Sequence, residues 1–209
     1  MPPESRRGYP PAMMLSRTTA STPEPAPNPL VPGAADYIAV LKQFWGYESL
    51  RPLQAEAIRA GVEQCDSLVV MPTGGGKSLC YQIPPILSDR LDIVVSPLIA
   101  LMKDQVDGLR QCGYPAAAIN SSMNPGERND VEAAAAQGRL RLLFVSPEKL
   151  MTPRFLDWID QLGVRTFAID EAHCISHWGH DFRPEYRELR ALKERFAGAS
   201  LHAFTATAT

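Results

Sequence analysis

Two stretches of this chain hold residues whose types and spacing can do chemistry. The first runs Leu68-Val69-Val70-Met71-Pro72-Thr73-Gly74-Gly75-Gly76-Lys77-Ser78-Leu79. An apolar run, a glycine cluster, Lys-Ser and a helically spaced segment follow one another, the order required of a phosphate-binding loop between strand and helix. Glycine lets backbone N–H groups close around phosphate oxygens with no Cβ in the way, and the next helix points its positive end at the same anion. Thr73, Gly74, Gly75, Gly76, Lys77 and Ser78 are therefore candidate nucleotide contacts. Lys77 would reach the β- and γ-phosphates and the Ser78 hydroxyl would ligate Mg²⁺. The general pattern G-x-x-x-x-G-K-[ST] has glycine six residues before the lysine, where this chain has Met71. Alone, the stretch also fits a glycine-rich turn before a helix with a solvated lysine.

The second stretch is Thr166-Phe167-Ala168-Ile169-Asp170-Glu171-Ala172-His173. An apolar strand ending in two carboxylates suits the site opposite a P-loop lysine: Asp170 to hold Mg²⁺, Glu171 to orient and deprotonate an attacking water. Two acids after a strand can also simply favour the N-terminus of a following helix. Their pairing with a Gly-Lys-Ser loop about ninety residues upstream favours the catalytic reading.

These residues must be positioned by the elements around them. Strand-like runs are read at Ser67–Met71, Ile93–Ser96, Ala117–Asn120, Leu140–Ser146, Thr166–Asp170 and Leu201–Thr205. Helical spacing is read at Ser78–Leu87, Leu98–Gln111, Pro125–Gln137, Arg154–Leu162 and Glu185–Phe196. Upstream, Asp36 is expected to cap a helix carrying Tyr37, Val40, Leu41 and Phe44 that Gly46 stops, and Pro52 to open a second helix running to Val62. Strands that are nearly all apolar, alternating with helices, predict an α/β fold with a mostly parallel sheet covered on both faces. Ligands of such sheets sit at the carboxyl ends of the strands, where both chemical stretches fall.

Composition narrows the class. The 209 residues are 45% apolar and 21% charged, ordinary for a globular domain, and no run approaches the ~18 apolar residues of a membrane helix. Residues 1–33 hold nine of the nineteen prolines and read as a disordered leader without the apolar core of a signal peptide; the domain is expected over residues 34–209. Cys65, Cys80, Cys112 and Cys174 form no C-x-x-C pair and are expected to be reduced thiols, as in a cytosolic (bacterial nucleoid) or nuclear protein. A net charge of −2 and a pI near 6.1 do not advertise nucleic-acid binding.

Beyond the two stretches, longer segments carry a family resemblance. Met71 to Ser78 and Asp170-Glu171-Ala172-His173 resemble motifs I and II of superfamily 2 helicases. The run Asp170-Glu171-Ala172-His173-Cys174-Ile175-Ser176-His177-Trp178-Gly179-His180-Asp181-Phe182-Arg183-Pro184-Glu185-Tyr186 resembles the RecQ DNA helicases in particular. Phe44 to Gln54 resembles that family's motif 0, Val94 to Gln105 its motif Ia and Phe204-Thr205-Ala206-Thr207-Ala208 its motif III. The family carries methionine at the position of Met71. It also carries glutamine where this chain has His177.

The resemblance implies a RecA-like P-loop NTPase domain that binds ATP and Mg²⁺ and works on single-stranded and duplex DNA with 3′→5′ polarity in repair and recombination. It implies that Gln54 pairs with the adenine edge, that Tyr47 and Arg51 stack on the base, and that His173 reaches toward motif III. Trp178, Phe182 and Arg183 would form the DNA-sensing platform. Gly179, Asp181 and Pro184 break any core pattern there, and exposed aromatics beside an arginine can stack single-stranded bases. His173, Cys174, His177 and His180 could instead suggest a metal site, but their spacing does not match paired zinc-ligand patterns. Ser96-Pro97, Asn120-Ser121-Ser122 and Ser146-Pro147-Glu148-Lys149 follow strands, where they could hold phosphodiesters or serve ordinary turn and capping chemistry. The sequence ends just past motif III, so the arginines of a second RecA-like lobe are not among these residues. The chain alone is expected to bind ATP–Mg²⁺ without rapid hydrolysis or unwinding. A DEAD/DEAH-type RNA helicase and a non-catalytic ATP- or DNA-binding module are the alternatives.

Overall fold

The computed structural model describes residues 32–120, 122–175 and 185–206. Among them the elements run α1 (Ala34–Trp45), α2 (Gln54–Val62), β1 (Ser67–Val70), α3 (Lys77–Leu87), β2 (Asp92–Val95), α4 (Ile99–Gln111), β3 (Ala116–Ile119) and α5 (Pro125–Ala136). After them come β4 (Leu142–Val145), α6 (Pro147–Leu150), α7 (Pro153–Gln161), β5 (Thr166–Ile169), α8 (Glu185–Glu188), α9 (Ala191–Arg195) and β6 (Ser200–Thr205). The six strands pair in the order β1-β6-β5-β2-β4-β3, every pair parallel. No helix of the described residues is long and apolar enough to cross a membrane.

Alternation along the central strands splits the core in two. Ile93, Val95, Leu143, Val145, Phe167 and Ile169 pack with Val131, Ile159, Leu192 and Phe196 on one face. Val94, Leu142, Phe144 and Ala168 pack with Tyr81, Met102 and Val106 on the other. Each such side chain contributes roughly 1.5–3 kcal/mol when fully buried, so a strand with both faces apolar is held in the interior. This is why β5, which leads into Asp170, lies inside the sheet with β6 and β2 beside it.

Several boundaries differ from the sequence reading, each for a local reason. Asp36 is the third residue of α1, not its cap; its carboxylate reaches back to accept the Gly33 N–H at 2.8 Å. Gly46 does end α1, in the left-handed conformation. The second helix starts at Gln54, because Leu53 has φ 69° and cannot continue a helix from Pro52. The single helix expected over Glu185–Phe196 is two short ones. Leu189, Leu192 and Lys193 donate to carbonyls three residues back, a tighter winding than the α-helix, while Tyr186, Leu189, Leu192 and Phe196 all remain buried. Two further turns, α6 and the 3₁₀ turn Ala172–Ile175, fall where the sequence shows only loop.

The strands also hide a polar row at their amino ends. Buried His202 lies between two hydroxyls, with Ser67 Oγ 2.9 Å from Nδ1 and Ser200 Oγ 3.0 Å from Nε2. Ser200 Oγ continues to Thr166 Oγ1 at 3.3 Å, and Asp92 is paired to Arg90 at 2.7 Å. Burial, reinforced by Arg90, pushes the His202 imidazole down to about 4. Asp92 is shifted the other way, to about 6, by burial that outweighs the attraction of Arg90.

The signs follow from linkage. His202 favours the fold fully above its unfolded value near 6.5 and loses that contribution as pH falls toward 4. Asp92 favours the fold below 3.8 and loses that contribution as pH rises through 6. His202→Gln retains a hydrogen-bonding side chain and removes only the first contribution. Between pH 7.5 and 4.5, wild type should lose roughly 2–3 kcal/mol relative to this variant, measured by urea unfolding of both. Parallel stability curves would contradict it.

Candidate active site

The P-loop grows directly from the sheet. Met71 follows β1, donates its N–H to Thr205 O at 3.0 Å and is 4% exposed. Its carbonyl accepts from Lys77 Nζ at 3.1 Å. The position therefore needs a backbone N–H, a carbonyl and an apolar side chain that packs into the core, and a glycine is not required. Glycine is required further on. Gly74 and Gly76 have φ of 76° and 85°, which side chains rarely adopt. A Cβ on Gly75 would lie 2.8 Å from Pro72 O. Lys77 and Ser78 open α3, at the positive end of its dipole.

Motif 0 docks onto this loop. Gln54 Oε1 accepts from the Arg51 N–H at 2.7 Å, and Gln54 Nε2 donates to Gly76 O at 3.0 Å. The Arg51 guanidinium donates to Gly74 O. Gln54 is 1% exposed while Tyr47 is 57% exposed. The resemblance implies that all three contact a base; here the Gln54 amide and the Arg51 guanidinium are bonded to the loop, leaving the Tyr47 ring open.

The end of β5 faces the loop across the same cleft. Asp170 continues the ladder by donating its N–H to Val95 O at 2.9 Å, and its side chain is buried. Burial and the neighbouring Glu171 charge raise the Asp170 pKa, while the Glu171 N–H, Gln105 and Lys77 act in the opposite direction. Glu171 sits at φ 49° and donates its N–H to Asp170 Oδ1 at 3.0 Å. That left-handed turn separates the two carboxylates while their backbones stay adjacent. His173 Nδ1 lies 3.2 Å from Glu171 Oε2 and 3.3 Å from Thr205 Oγ1, between the acid pair and the motif III strand. The Tyr186 hydroxyl donates to Asp170 O at 3.0 Å.

The cleft has a volume of about 790 Å³ and is lined by Tyr47, Arg51, Gln54, Thr73, Gly74, Gly76, Lys77, Ser78, Asp170 and Glu171 among others. Thus residues of motif 0, the P-loop and the β5 end, far apart in sequence, share one wall of space. Trp178, Phe182 and Arg183 lie outside the described residues, as do His177 and His180 of the metal reading. No group of three or more His, Cys, Asp or Glu side chains is arranged for a metal among the described residues. Two polar residues that the sequence reading left without a role also converge on the site: Tyr81, one helical turn after Ser78, and Gln105 of α4. The i, i+3 spacing of Ser78 and Tyr81 was a usable signal; nothing in the sequence ties Gln105 to Asp170.

The three candidate phosphodiester loops differ in their contacts. Ser96 and Pro97 are buried. Asn120 Oδ1 accepts from the Ser122 N–H at 2.9 Å and hydroxyl at 2.7 Å. Ser146 Oγ accepts from the Lys149 N–H at 3.3 Å and caps α6. Turn and capping chemistry thus engages Asn120, Ser122 and Ser146, whereas the buried Ser96 hydroxyl has no hydrogen-bond partner among the described residues.

Chemically, the cleft offers an amine and a helix N-terminus for an anion, and a buried carboxylate whose charge Lys77 only partly offsets. A polyphosphate carrying a divalent cation matches that donor set: phosphate oxygens against the glycine loop and Lys77, the cation between the Ser78 hydroxyl and Asp170.

The sequence profile described as DEAD/DEAH box helicase matches residues 51–209. The chain belongs to this family. Within it, the chain is similar to the RecQ helicases. It is 53% identical over 171 residues to the ATP-dependent DNA helicase RecQ of Haemophilus influenzae, covering 82% of this chain and 28% of that protein. It is 49% identical over 195 residues to the RecQ of Pasteurella multocida, covering 93% and 30%. The chain thus spans less than a third of the length of these relatives. The DUF1998 helicase MrfA bound to DNA has the same fold, with a TM-score of 0.65 at 20% identity over 84% of this chain and 27% of that one. The RecA-like helicase fold anticipated from the motifs is the one observed.

The loop geometry is testable without ligand. Gly76→Ala places a methyl group against Gln54 Nε2 on a left-handed backbone and should cost roughly 1–2 kcal/mol from the backbone alone. In a Gln54→Ala background the same change should cost less, because the contact is gone. Equal costs in the two backgrounds, by urea unfolding, would contradict the docking of motif 0 on the loop.

Proposed function

We propose that this chain is the ATP-binding lobe of an ATP-dependent 3′→5′ DNA helicase of the RecQ type, acting in repair and recombination wherever chromosomal DNA resides. One observation carries the reading: Lys77 and Ser78 of the P-loop after β1 and Asp170 and Glu171 after β5 line a single cleft at the carboxyl ends of strands that only β6 separates. The similarity to RecQ helicases supports DNA as the polymer, and polarity and pathway rest on that similarity alone.

In this reading residues 34–209 form the lobe and residues 1–33 a leader outside it. Lys77 and the loop N–H groups bind the β- and γ-phosphates, Ser78 and Asp170 hold Mg²⁺, and Tyr47 stacks on the adenine. Arg51 and Gln54 join Tyr47 by exchanging a loop carbonyl for the base. Mg²⁺ supplies charge neutralisation on the phosphates. Glu171 accepts the proton of the attacking water, and His173, between Glu171 and Thr205, ties the state of that acid to the strand carrying motif III. Trp178, Phe182 and Arg183 form the DNA-sensing platform. A second RecA-like lobe contributes arginines to the transition state, an effect of roughly 10³–10⁵ in rate, so this chain alone turns over ATP slowly.

The test is ATP turnover by a protein carrying this lobe together with its second lobe. Single-stranded DNA should stimulate it, Lys77→Ala should abolish turnover, Glu171→Gln should retain nucleotide binding while losing hydrolysis, and Trp178→Ala should remove the stimulation. Stimulation by RNA but not DNA would replace this reading with that of an RNA helicase. DNA-stimulated turnover at full helicase rates by the 209-residue chain itself would refute the need for a second lobe.

A further inference from the structure

The cleft runs on past the residues that the proposed reading assigns to ATP. Between α3, α4 and the end of α1 it is lined by Trp45, Gln82, Leu101, Asp104, Gly108 and Leu109, none of which has a part in that reading. Gln82 stands one helical turn after Ser78 on α3 and is 5% exposed. Its backbone carbonyl accepts from the Tyr114 hydroxyl at 2.5 Å, while its side-chain amide has no hydrogen-bond partner among the described residues. Buried polar groups are nearly always hydrogen-bonded, and leaving one unpaired is costly. A buried, unpaired amide bordering an open cleft is a place for a ligand's polar group.

The walls around that amide say which group fits. The half-buried Trp45 ring packs on Tyr114, with centroids 5.8 Å apart, so the tyrosine that holds the Gln82 carbonyl also holds the aromatic wall. Asp104 and Gly108 lie four residues apart on α4 and share one face of it. Both are exposed, and Asp104 forms no ion pair among the described residues. A Cβ on Gly108 would meet nothing within 4 Å, which leaves a slot in the helix surface. The two cations of the cleft, Arg51 and Lys77, are bonded to the carbonyls of Gly74 and Met71 and leave the Asp104 charge unmatched. An unpaired carboxylate, an indole, two leucines and an amide oxygen together suit an apolar stem that ends in a planar cation. A guanidinium pairs with a carboxylate through two N–H groups, stacks on an indole face and keeps further donors for an amide oxygen.

We propose that the α4 end of the cleft is a docking pocket for an arginine side chain presented by another polypeptide. The guanidinium pairs with Asp104 and donates to Gln82 Oε1, and its stem lies along Leu101, Leu109 and the Trp45 ring. Because Asp104 and Gly108 are exposed, the side chain enters at the surface while its own backbone stays outside. The pocket goes beyond the ATP reading and does not rest on it, since it shares no residue with the phosphate, cation or base contacts. Arginine and nucleotide therefore occupy the cleft together.

The experiment titrates the 209-residue chain with a capped Gly-Arg-Gly peptide and with the same peptide carrying citrulline, the neutral isostere of arginine, followed by NMR chemical shifts with and without ATP–Mg²⁺. The arginine peptide should bind roughly 10-fold or more tightly than the citrulline peptide, with the same affinity whether or not ATP–Mg²⁺ is present. Asp104→Asn should weaken arginine binding about 10-fold, and Gln82→Leu should weaken it too. Gly108→Leu fills the slot with a better helix former, so it should abolish peptide binding while the thermal melt and ATP affinity are kept. Equal binding of the two peptides, displacement of the arginine peptide by ATP–Mg²⁺, or full binding by Gly108→Leu would each overturn the proposal. Should Gln82→Leu not fold, Gly108→Leu on the surface of α4 decides. ATP–Mg²⁺ binding is titrated separately: its failure in wild type would overturn the reading of the phosphate end and leave the peptide result standing.

Discussion

A carboxylate buried at the end of a central strand is the constraint around which this lobe is built. Asp170 leaves β5 between β2 and β6, where its side chain has little water. Burial and the adjacent Glu171 charge both oppose its ionisation. An unpaired buried charge is costly enough that proteins neutralise or pair it, and here the pairing is distributed: the Glu171 N–H, the Gln105 amide and, more distantly, Lys77. The remaining deficit is an invitation to a cation. Burial thus makes the site responsive, since a fully solvated aspartate would gain much less from a divalent ion.

The rest of the architecture serves that position. Parallel strands deliver the P-loop and the acid pair to the same edge of the sheet, and the ladder fixes them relative to one another: Met71 bonds to Thr205, and Asp170 to Val95. Thr205 also lies beside His173, so the motif III strand touches both halves of the site within a few residues. Motif 0 comes from outside the sheet: Phe44 and Trp45 pack against Tyr114, and its end is held to the loop by polar contacts. Arg51 and Gln54 donate to the carbonyls of Gly74 and Gly76, which fastens motif 0 to the loop. The preceding Leu53, 56% exposed at φ 69°, gains little from packing; its backbone conformation is what turns Gln54 toward the loop.

The amino-acid sequence made the sheet and its chemistry legible because both depend on short patterns. Apolar runs located all six strands within two residues, and the glycine and acid-pair motifs lay at strand ends, where a parallel sheet gathers them. Features that depend on tertiary partners were not legible. Gln54 reads as a base contact from its motif, yet its nearest partners are Arg51 and Gly76. The Glu185–Phe196 segment has helical spacing, but its four buried side chains fit the core only with a tightened joint. Strands taken as apolar carry Asp92, Thr166, Ser200 and His202 at their amino ends, a polar row that exists only because three neighbouring strands align. Gln105 belongs to the same class. Nothing in a helix pattern tells which buried acid its amide will meet.

If Asp170 is an ionised carboxylate kept in the interior for a cation, its charge should weaken the empty fold and strengthen the liganded one. Thermal unfolding of wild type and Asp170→Asn, each alone and with ATP in Mg²⁺ or in EDTA, measures both effects together. The account predicts that Asp170→Asn melts higher than wild type without ligand, and that ATP with Mg²⁺ raises the wild-type midpoint well beyond ATP in EDTA while the variant loses this difference. A variant that melts lower than wild type when empty, yet keeps the full Mg²⁺-dependent shift, would contradict it.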